Sequence, residues 1–244
     1  MIEAVIFDLD GTLVDTERLK AYSYARAAVE LSGGELTEAE VIEAFKDVVG
    51  LSREEVAQGL LKRFNLEDSA RSRISEFKVQ YPWQVLVELR LPIYMNLIAD
   101  PAVLRECVFQ HNVGLLNYLR RRGFKTGLAT MSYCAQANRV LEILELKDKL
   151  DFIAARDDVK KGKPDPEIYQ LVADRLSVDP SRCLVVEDSL SGVQAALAAN
   201  MHCIVVTTDF TRAAVHQSSL LDKRWIVDDP VNLESVARQV IENR

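Results

Sequence analysis

The sequence predicts an α/β protein, a Rossmann-like parallel sheet core with an inserted α-helical cap domain. Short apolar runs alternate with helix-length segments through the C-terminal half, as parallel strands joined by crossover helices require. Between about residues 16 and 104 the patterning is helical only. At 244 residues the chain is long for one compact domain and short for two full ones, which leaves room for an insertion.

The first run, Ala4-Val5-Ile6-Phe7, is apolar and rich in β-formers, and it stops abruptly at Asp8-Leu9-Asp10-Gly11. This is the pattern of a buried strand ending in a turn. Successive helices follow, with Thr37-x-x-Glu40 and Ser52-x-x-Glu55 as capping boxes. Phe77, Tyr81 and Trp83 have helix-packing spacing and are assigned to the core of the insertion, whose end is punctuated by Pro82, Pro92 and Pro101. Beyond it, strands are expected at 125–129, 151–155, 183–186, 203–206 and 225–227. Helices are expected at 113–122, 133–145, 167–176, 192–199 and from 233 onward. The domains are therefore 1–15 with 105–244, the α/β core, and 16–104, the cap.

Hydrophobic residues make up 48% and charged residues 27% of the chain, an ordinary globular balance. A formal charge of −7 disfavours nonspecific contact with nucleic acid or an anionic membrane. Met1-Ile2-Glu3-Ala4-Val5 has no basic stretch before a long apolar run, so no secretory signal is read, nor any membrane span. Cys107, Cys134, Cys183 and Cys203 are far apart and form no CxxC pair, as expected of free thiols in the cytoplasm. His111, His202 and His216 stand alone and receive no metal or catalytic role, and nothing in the sequence sets the oligomeric state.

Polar groups fall at the ends of four expected strands: Asp8 and Asp10, Thr130, the Lys163 loop, and Glu187-Asp188. Each alone has an ordinary structural explanation. Asp10-Gly11 reads as a turn, Thr130 or Ser132 as a helix cap, Lys160 to Lys163 as a solvated basic loop, and Glu187-Asp188 as acidic capping. Their joint occurrence is not explained that way, because a doubly wound sheet brings all four to one edge. Carboxylates gathered there repel one another unless a cation joins them. Asp8, the Asp10 carbonyl and Asp188 are oxygen donors suited to Mg2+, with Glu187 as a further or outer ligand. Lys163 and the Thr130 hydroxyl are then candidates for the phosphoryl oxygens of a small phosphorylated metabolite.

With these residues in place, the chain resembles the haloacid dehalogenase superfamily, in its β-phosphoglucomutase-like phosphatase branch, over essentially its whole length. Asp8-Leu9-Asp10-Gly11-Thr12 is similar to that family's first motif, Thr130 to its second, Lys163 in Gly162-Lys163-Pro164-Asp165-Pro166 to its third, and Glu187-Asp188 to its fourth. The resemblance implies a magnesium-dependent phosphatase in which Asp8 attacks phosphorus to give an aspartyl-phosphate. Asp10 then serves as acid toward the leaving oxygen and as base toward water. It further implies that the helical insertion closes over the substrate.

Three departures stand out: Met131 where relatives often carry a polar residue, His111-Asn112 in place of a common Pro-Gly, and Asn200 in place of a glycine. Asn tolerates the left-handed conformation expected there. Val49-Gly50-Leu51-Ser52-Arg53-Glu54 resembles a substrate-facing cap loop, so Gly50, Arg53, Ser132 and Lys20 are the candidate substrate-binding residues. Arg53 reads equally as a solvated surface arginine. Lys20 stands where the mutase carries a histidine, which favours hydrolysis over a sugar-phosphate mutase. A noncatalytic phosphate-binding regulator is the rival from another class, and a binder has no need of both Asp8 and Asp10.

Overall fold

The structure, a computed structural model, describes residues 1–242. The chain divides into two compact units, Met1–Asp15 with the chain from Pro101 onward, and Thr16–Asp100. The second crossing falls at Pro101 rather than at 105, because Pro101 opens the helix Pro101–Glu106, which packs on helix Cys134–Ile143 of the first unit.

The first unit is built on a six-stranded sheet of β1 (Ala4–Phe7), β2 (Lys125–Ala129), β3 (Phe152–Ala154), β4 (Cys183–Glu187), β5 (His202–Val206) and β6 (Ile226–Val227), in the order β3-β2-β1-β4-β5-β6. Every pairing is parallel. β1 and β4 are buried at every residue, as befits strands covered on both faces. Helices Glu167–Leu176 and Leu190–Ala198 cover one face, and Gln110–Arg121 and Leu233–Glu242 the other. Phe7 of the central strand lies opposite Leu128 on one side and Val186 on the other. In this register β1, β2 and β4 stop at one edge, and Asp8, Thr130 and Asp188 follow their last residues.

The observed strands match the expected ones to within a residue or two. The helix expected from 192 begins at Leu190, because the Ser189 hydroxyl caps it by accepting from the Gly192 amide. Helix Arg212–Gln217 is short and gave no periodic signal. Asn200 takes a left-handed φ of 61°, at the end of its helix.

The second unit contains helices Thr16–Leu31, Glu38–Phe45, Arg53–Arg63, Glu67–Ser72, Ile74–Phe77 and Pro82–Ala99. Both capping boxes form, at Thr37 and at Ser52. Pro92 does not end the helical stretch. It sits inside the 18-residue helix Pro82–Ala99, where it cannot donate to the carbonyl of the exposed Glu88. The expected aromatic core also differs: Tyr81 is exposed at the N-cap of that helix, and Phe77 and Trp83 are only half-buried. Tyr24, Phe45, Leu60, Leu61, Val85 and Leu86 fill the interior instead. Arg90 is buried among them, its guanidinium 4.6 Å from the Tyr24 ring and 5.0 Å from Tyr94, and it donates to the Ser23 hydroxyl. Among the described residues, no helix is long and apolar enough to cross a membrane.

Gly127, in the middle of β2, faces helix Glu167–Leu176 so closely that a methyl group there runs into the Cγ1 of Val172. A valine on a helix has one strongly preferred rotamer and cannot step aside. Gly127→Ala is therefore expected to destabilise the protein by about 1–3 kcal/mol despite the smaller unfolded-state entropy of alanine. Urea unfolding followed by circular dichroism measures this.

Candidate active site

Burial and chain direction bring the expected residues together at the carboxyl edge of the sheet. Asp8, Asp10, Thr130, Ser132, Glu187 and Asp188 are all buried, and the Lys163 side chain is 3% exposed. The loop after β1 is tight: the amides of Leu13 and Val14 both donate to the Leu9 carbonyl, and Gly11 donates to Val14. Gly11 has a φ of +82°, and a side chain there runs into the Asp188 carboxylate, so glycine is needed for both the turn and the neighbour.

Lys163 is the hub. Its ammonium donates to Asp8 Oδ1 at 2.6 Å, to Glu187 Oε1 at 2.6 Å and to the Ala129 carbonyl at 2.9 Å. These use all three of its protons. The loop that carries it is held from both ends. The Glu167 carboxylate accepts from the amides of Lys160 and Lys161, and Arg156 donates to the Val159 carbonyl. Met131, one of the departures, packs its methyl against Gly162 of this loop.

Glu187 is more fully engaged than its neighbours. Its Oε1 accepts from Lys163 and from the Tyr169 hydroxyl at 2.7 Å, and its Oε2 accepts from the Asp188 amide, the Ser189 amide and the Ser189 hydroxyl. Donor atoms of Asp8, Glu187 and Asp188 lie within 4.8 Å of one another, so proximity alone counts Glu187 as a metal ligand. Its oxygens, however, already serve five donors. Asp8, Glu187 and Asp188 thus form the carboxylate group in reach of a cation, with Glu187 the one whose oxygens carry five donors. A methyl group at Gly192 runs into the Glu187 carboxylate, which closes the remaining side of its cage.

The electrostatics follow from this arrangement. Burial pushes Glu187 up, but Lys163 and the amide and hydroxyl donors outweigh it and hold the carboxyl below its usual range. Burial pushes Asp8 well up; Lys163 opposes this, while Glu187 and Asp10 add to it. Burial pulls Lys163 down, yet Asp8 and Glu187 together raise it above an ordinary lysine. Of the two carboxyls that share the ammonium, Glu187 is thus the firmly ionised one. A divalent cation beside Asp8 favours its charged form, so the donor set fits a hard dication.

Asp10 is held separately. Thr130 Oγ1 at 2.9 Å and Ser132 Oγ at 2.7 Å both donate to its Oδ2, and the Thr130 hydroxyl accepts from the Ser132 amide. Ser132 was expected to face the substrate, and Thr130 the phosphoryl group. In this structure both hydroxyls are directed at Asp10. Gly50, Lys20 and Arg53 lie in the second unit. Gly50 takes a φ of +82°, Arg53 opens helix Arg53–Arg63, and Lys20 pairs with Glu17 at 2.9 Å.

The sequence did not single out Tyr169, which sits on the inner face of its helix with its ring 4.9 Å from the Lys163 ammonium. Its position in an apolar helical stripe marks it only as a core residue. Asn112 drew notice as a departure; the structure has it buried and donating to the Thr12 carbonyl of the loop after β1 at 2.6 Å.

Comparison with known proteins follows the same lines. Residues 2–200 match the family model for haloacid dehalogenase-like hydrolases. The chain is 34% identical over 203 residues to a phosphorylated carbohydrates phosphatase of Thermotoga maritima, covering 83% of this chain and 84% of that protein. It is 28% identical to hexitol phosphatase B of Escherichia coli, covering 84% of this chain and 83% of that one. Among solved structures, a putative beta-phosphoglucomutase from Thermotoga maritima superposes with a TM-score of 0.67 at 28% identity, covering 98% of this chain and all of the other. The motif residues, the parallel sheet that gathers them at one edge and the family match lead to one assignment: the chain belongs to the haloacid dehalogenase-like hydrolases.

Proposed function

We propose that this phosphatase, a phosphoric monoester hydrolase, removes phosphate from a small phosphorylated carbohydrate through an aspartyl-phosphate on Asp8. The observation that carries this reading is the pair of separately held aspartates. Asp8 lies against the Lys163 ammonium, and Asp10 is turned toward Thr130 and Ser132 two residues further on. A simple anion binder has no use for two carboxylates at the point where an anion must approach. The substrate class is supported by the names of two relatives, a phosphorylated carbohydrates phosphatase and a hexitol phosphatase.

In this reading Asp8 attacks phosphorus, the Asp8–phosphorus bond forms as the ester bond breaks, and Asp10 delivers a proton to the departing oxygen. Water then attacks the aspartyl-phosphate, Asp10 takes its proton, and inorganic phosphate leaves with Asp8 restored. Lys163 offsets negative charge on Asp8 before attack and on the phosphoryl oxygens during it. Asp8, Asp188 and the Asp10 carbonyl would hold magnesium, with Glu187 as a further or outer ligand, and the ion would supply positive charge to offset repulsion between these carboxylates and a phosphate dianion. Gly50 and Arg53 in the insertion remain the proposed readers of the substrate's other end. A cytoplasmic setting is supported by four free cysteines, three of them buried.

Three outcomes test the reading. Phosphate release from phosphorylated sugars and hexitols is expected to vanish after exhaustive chelation and to return with magnesium; full activity in metal-free enzyme removes the metal from the mechanism. Asp8→Asn is expected to show no measurable turnover with an unchanged circular dichroism spectrum, whereas Asp10→Asn is expected to lose about 10²- to 10⁴-fold in kcat. Near-normal turnover in Asp8→Asn excludes the covalent route.

The mutase alternative draws on the likeness to a putative beta-phosphoglucomutase. Lys20 argues against it, since a charged lysine has no acceptor, and here it pairs with Glu17. With β-glucose 1-phosphate and a bisphosphate primer, free phosphate is expected to exceed glucose 6-phosphate. Efficient isomerisation with little phosphate release reverses the assignment.

A further inference from the structure

Tyr169 touches both members of the ion pair behind the nucleophile. Its hydroxyl donates to Glu187 Oε1 at 2.7 Å, and the face of its ring lies 4.9 Å from the Lys163 ammonium. The side chain is fully buried, and Ile168, Val172 and Ala173 of the same helix are buried with it. A tyrosine in such a place could be replaced by phenylalanine at no cost to packing. Burial and the neighbouring Glu187 push its phenol well above the ordinary range, so it stays a neutral donor.

The geometry of Lys163 gives that donor a purpose. The ammonium spends one proton on Asp8, one on Glu187 and one on the Ala129 carbonyl. Of these acceptors, Ala129 is fixed by strand β2, and Glu187 Oε2 is fixed by the amides of Asp188 and Ser189. Oε1 is the oxygen that Lys163 shares, and it also accepts from the Tyr169 hydroxyl. Without the hydroxyl, Oε1 directs all of its hydrogen-bonding capacity at Lys163 and draws the ammonium away from Asp8. The ring adds a cation–π contact to the same ammonium.

We propose that Tyr169 is a positioning residue for the reaction: it fixes the Lys163–Glu187 pair so that the ammonium stays aimed at Asp8 and at the phosphoryl group that Asp8 receives. This rests on the reading above, in which Lys163 serves the Asp8 nucleophile. Tyr169 touches neither substrate nor the reacting atoms and acts only through Lys163 and Glu187.

The test uses the full-length protein with magnesium and p-nitrophenyl phosphate, and compares Tyr169→Phe, Tyr169→Leu, Glu187→Gln, the Tyr169→Phe/Glu187→Gln double variant and Lys163→Met. Tyr169→Phe keeps the ring and the packing and is expected to lower kcat about 10-fold, the scale of one lost hydrogen bond to a charged group, with KM changed less than about 2-fold. Tyr169→Leu, which loses the ring as well, is expected to fall further. Because the hydroxyl acts through Glu187, adding Tyr169→Phe to Glu187→Gln is expected to cost little more than Glu187→Gln alone, a non-additivity that a packing role does not produce. Native kcat in Tyr169→Phe, with or without a lower melting temperature, assigns the residue to the core alone and overturns the proposal. So do losses that multiply in the double variant. Lys163→Met separates the two levels of the argument. If it is inactive while Tyr169→Phe is native, only this inference fails; if it retains full turnover, the reading of Lys163 fails and this inference falls with it.

Discussion

The structure of the catalytic edge depends on a single buried contact, the Lys163 ammonium set between Asp8 and Glu187 at 2.6 Å from each. Taking three charges out of water is costly, and a buried pair survives only where geometry is close and the remaining donors and acceptors are satisfied. Here they are. The third proton of Lys163 meets a strand carbonyl, and the far oxygen of Glu187 meets two amides and a hydroxyl. The loop bearing Lys163 must therefore be rigid, which accounts for the Glu167 carboxylate fastened to two of its amides and Arg156 fastened to its carbonyls. Removing one partner of such a pair strands an uncompensated charge, at a cost on the order of 3–5 kcal/mol.

The parallel register makes this contact accessible to three distant segments of chain. Asp8 follows β1, Ala129 ends β2, and Glu187 ends β4, with β1 in the middle. Two glycines then let the pieces approach. Gly11 leaves room for the Asp188 carboxylate, and Gly192 leaves room for that of Glu187. Neither place accepts even a methyl group. The sheet sets the separation between strands, and the glycines set how closely the carboxylates can be gathered beyond it.

Much of this was legible in the sequence, for identifiable reasons. Strands β2 and β4 and helix Glu167–Leu176 are bounded by sharp changes of pattern, and Thr37 and Ser52 cap their helices through side chains that leave a clear three-residue signature. That Asp8, Thr130 and Asp188 meet at one edge was legible because each directly follows an apolar strand, whereas Lys163 sits in a loop nine residues beyond β3. What the sequence could not convey was direction. Thr130 was expected to face a phosphoryl group and Ser132 the substrate, and both donate to Asp10. Glu187 and Asp188 are adjacent and chemically alike, yet one is saturated by donors and the other lies beside Gly11. Tyr169 is one apolar-face residue among several, and its hydroxyl matters only because a strand distant in sequence brings Glu187 to it. Pro92 misled for the opposite reason: a local helix-breaking preference yields when the helix is long and the freed carbonyl belongs to an exposed residue.

The same contact explains how one edge can carry several carboxyl groups in different states. Among the described residues there, Asp8, Asp10, Glu187 and Asp188 are all buried, Asp8 and Glu187 lie against the Lys163 ammonium, and their environments separate them. Glu187 is held charged by its donors, while burial and two neighbouring carboxylates work against charge on Asp8. Asp10 is set apart again by two hydroxyl donors, from Thr130 and Ser132, to one of its oxygens. Lys163 cannot neutralise the whole group, because its protons are already divided among three acceptors. The cluster is therefore short of positive charge, and Asp8 is a carboxyl whose ionisation its surroundings oppose. A divalent cation held among Asp8, Glu187 and Asp188 would supply the missing positive charge and favour the charged form of Asp8.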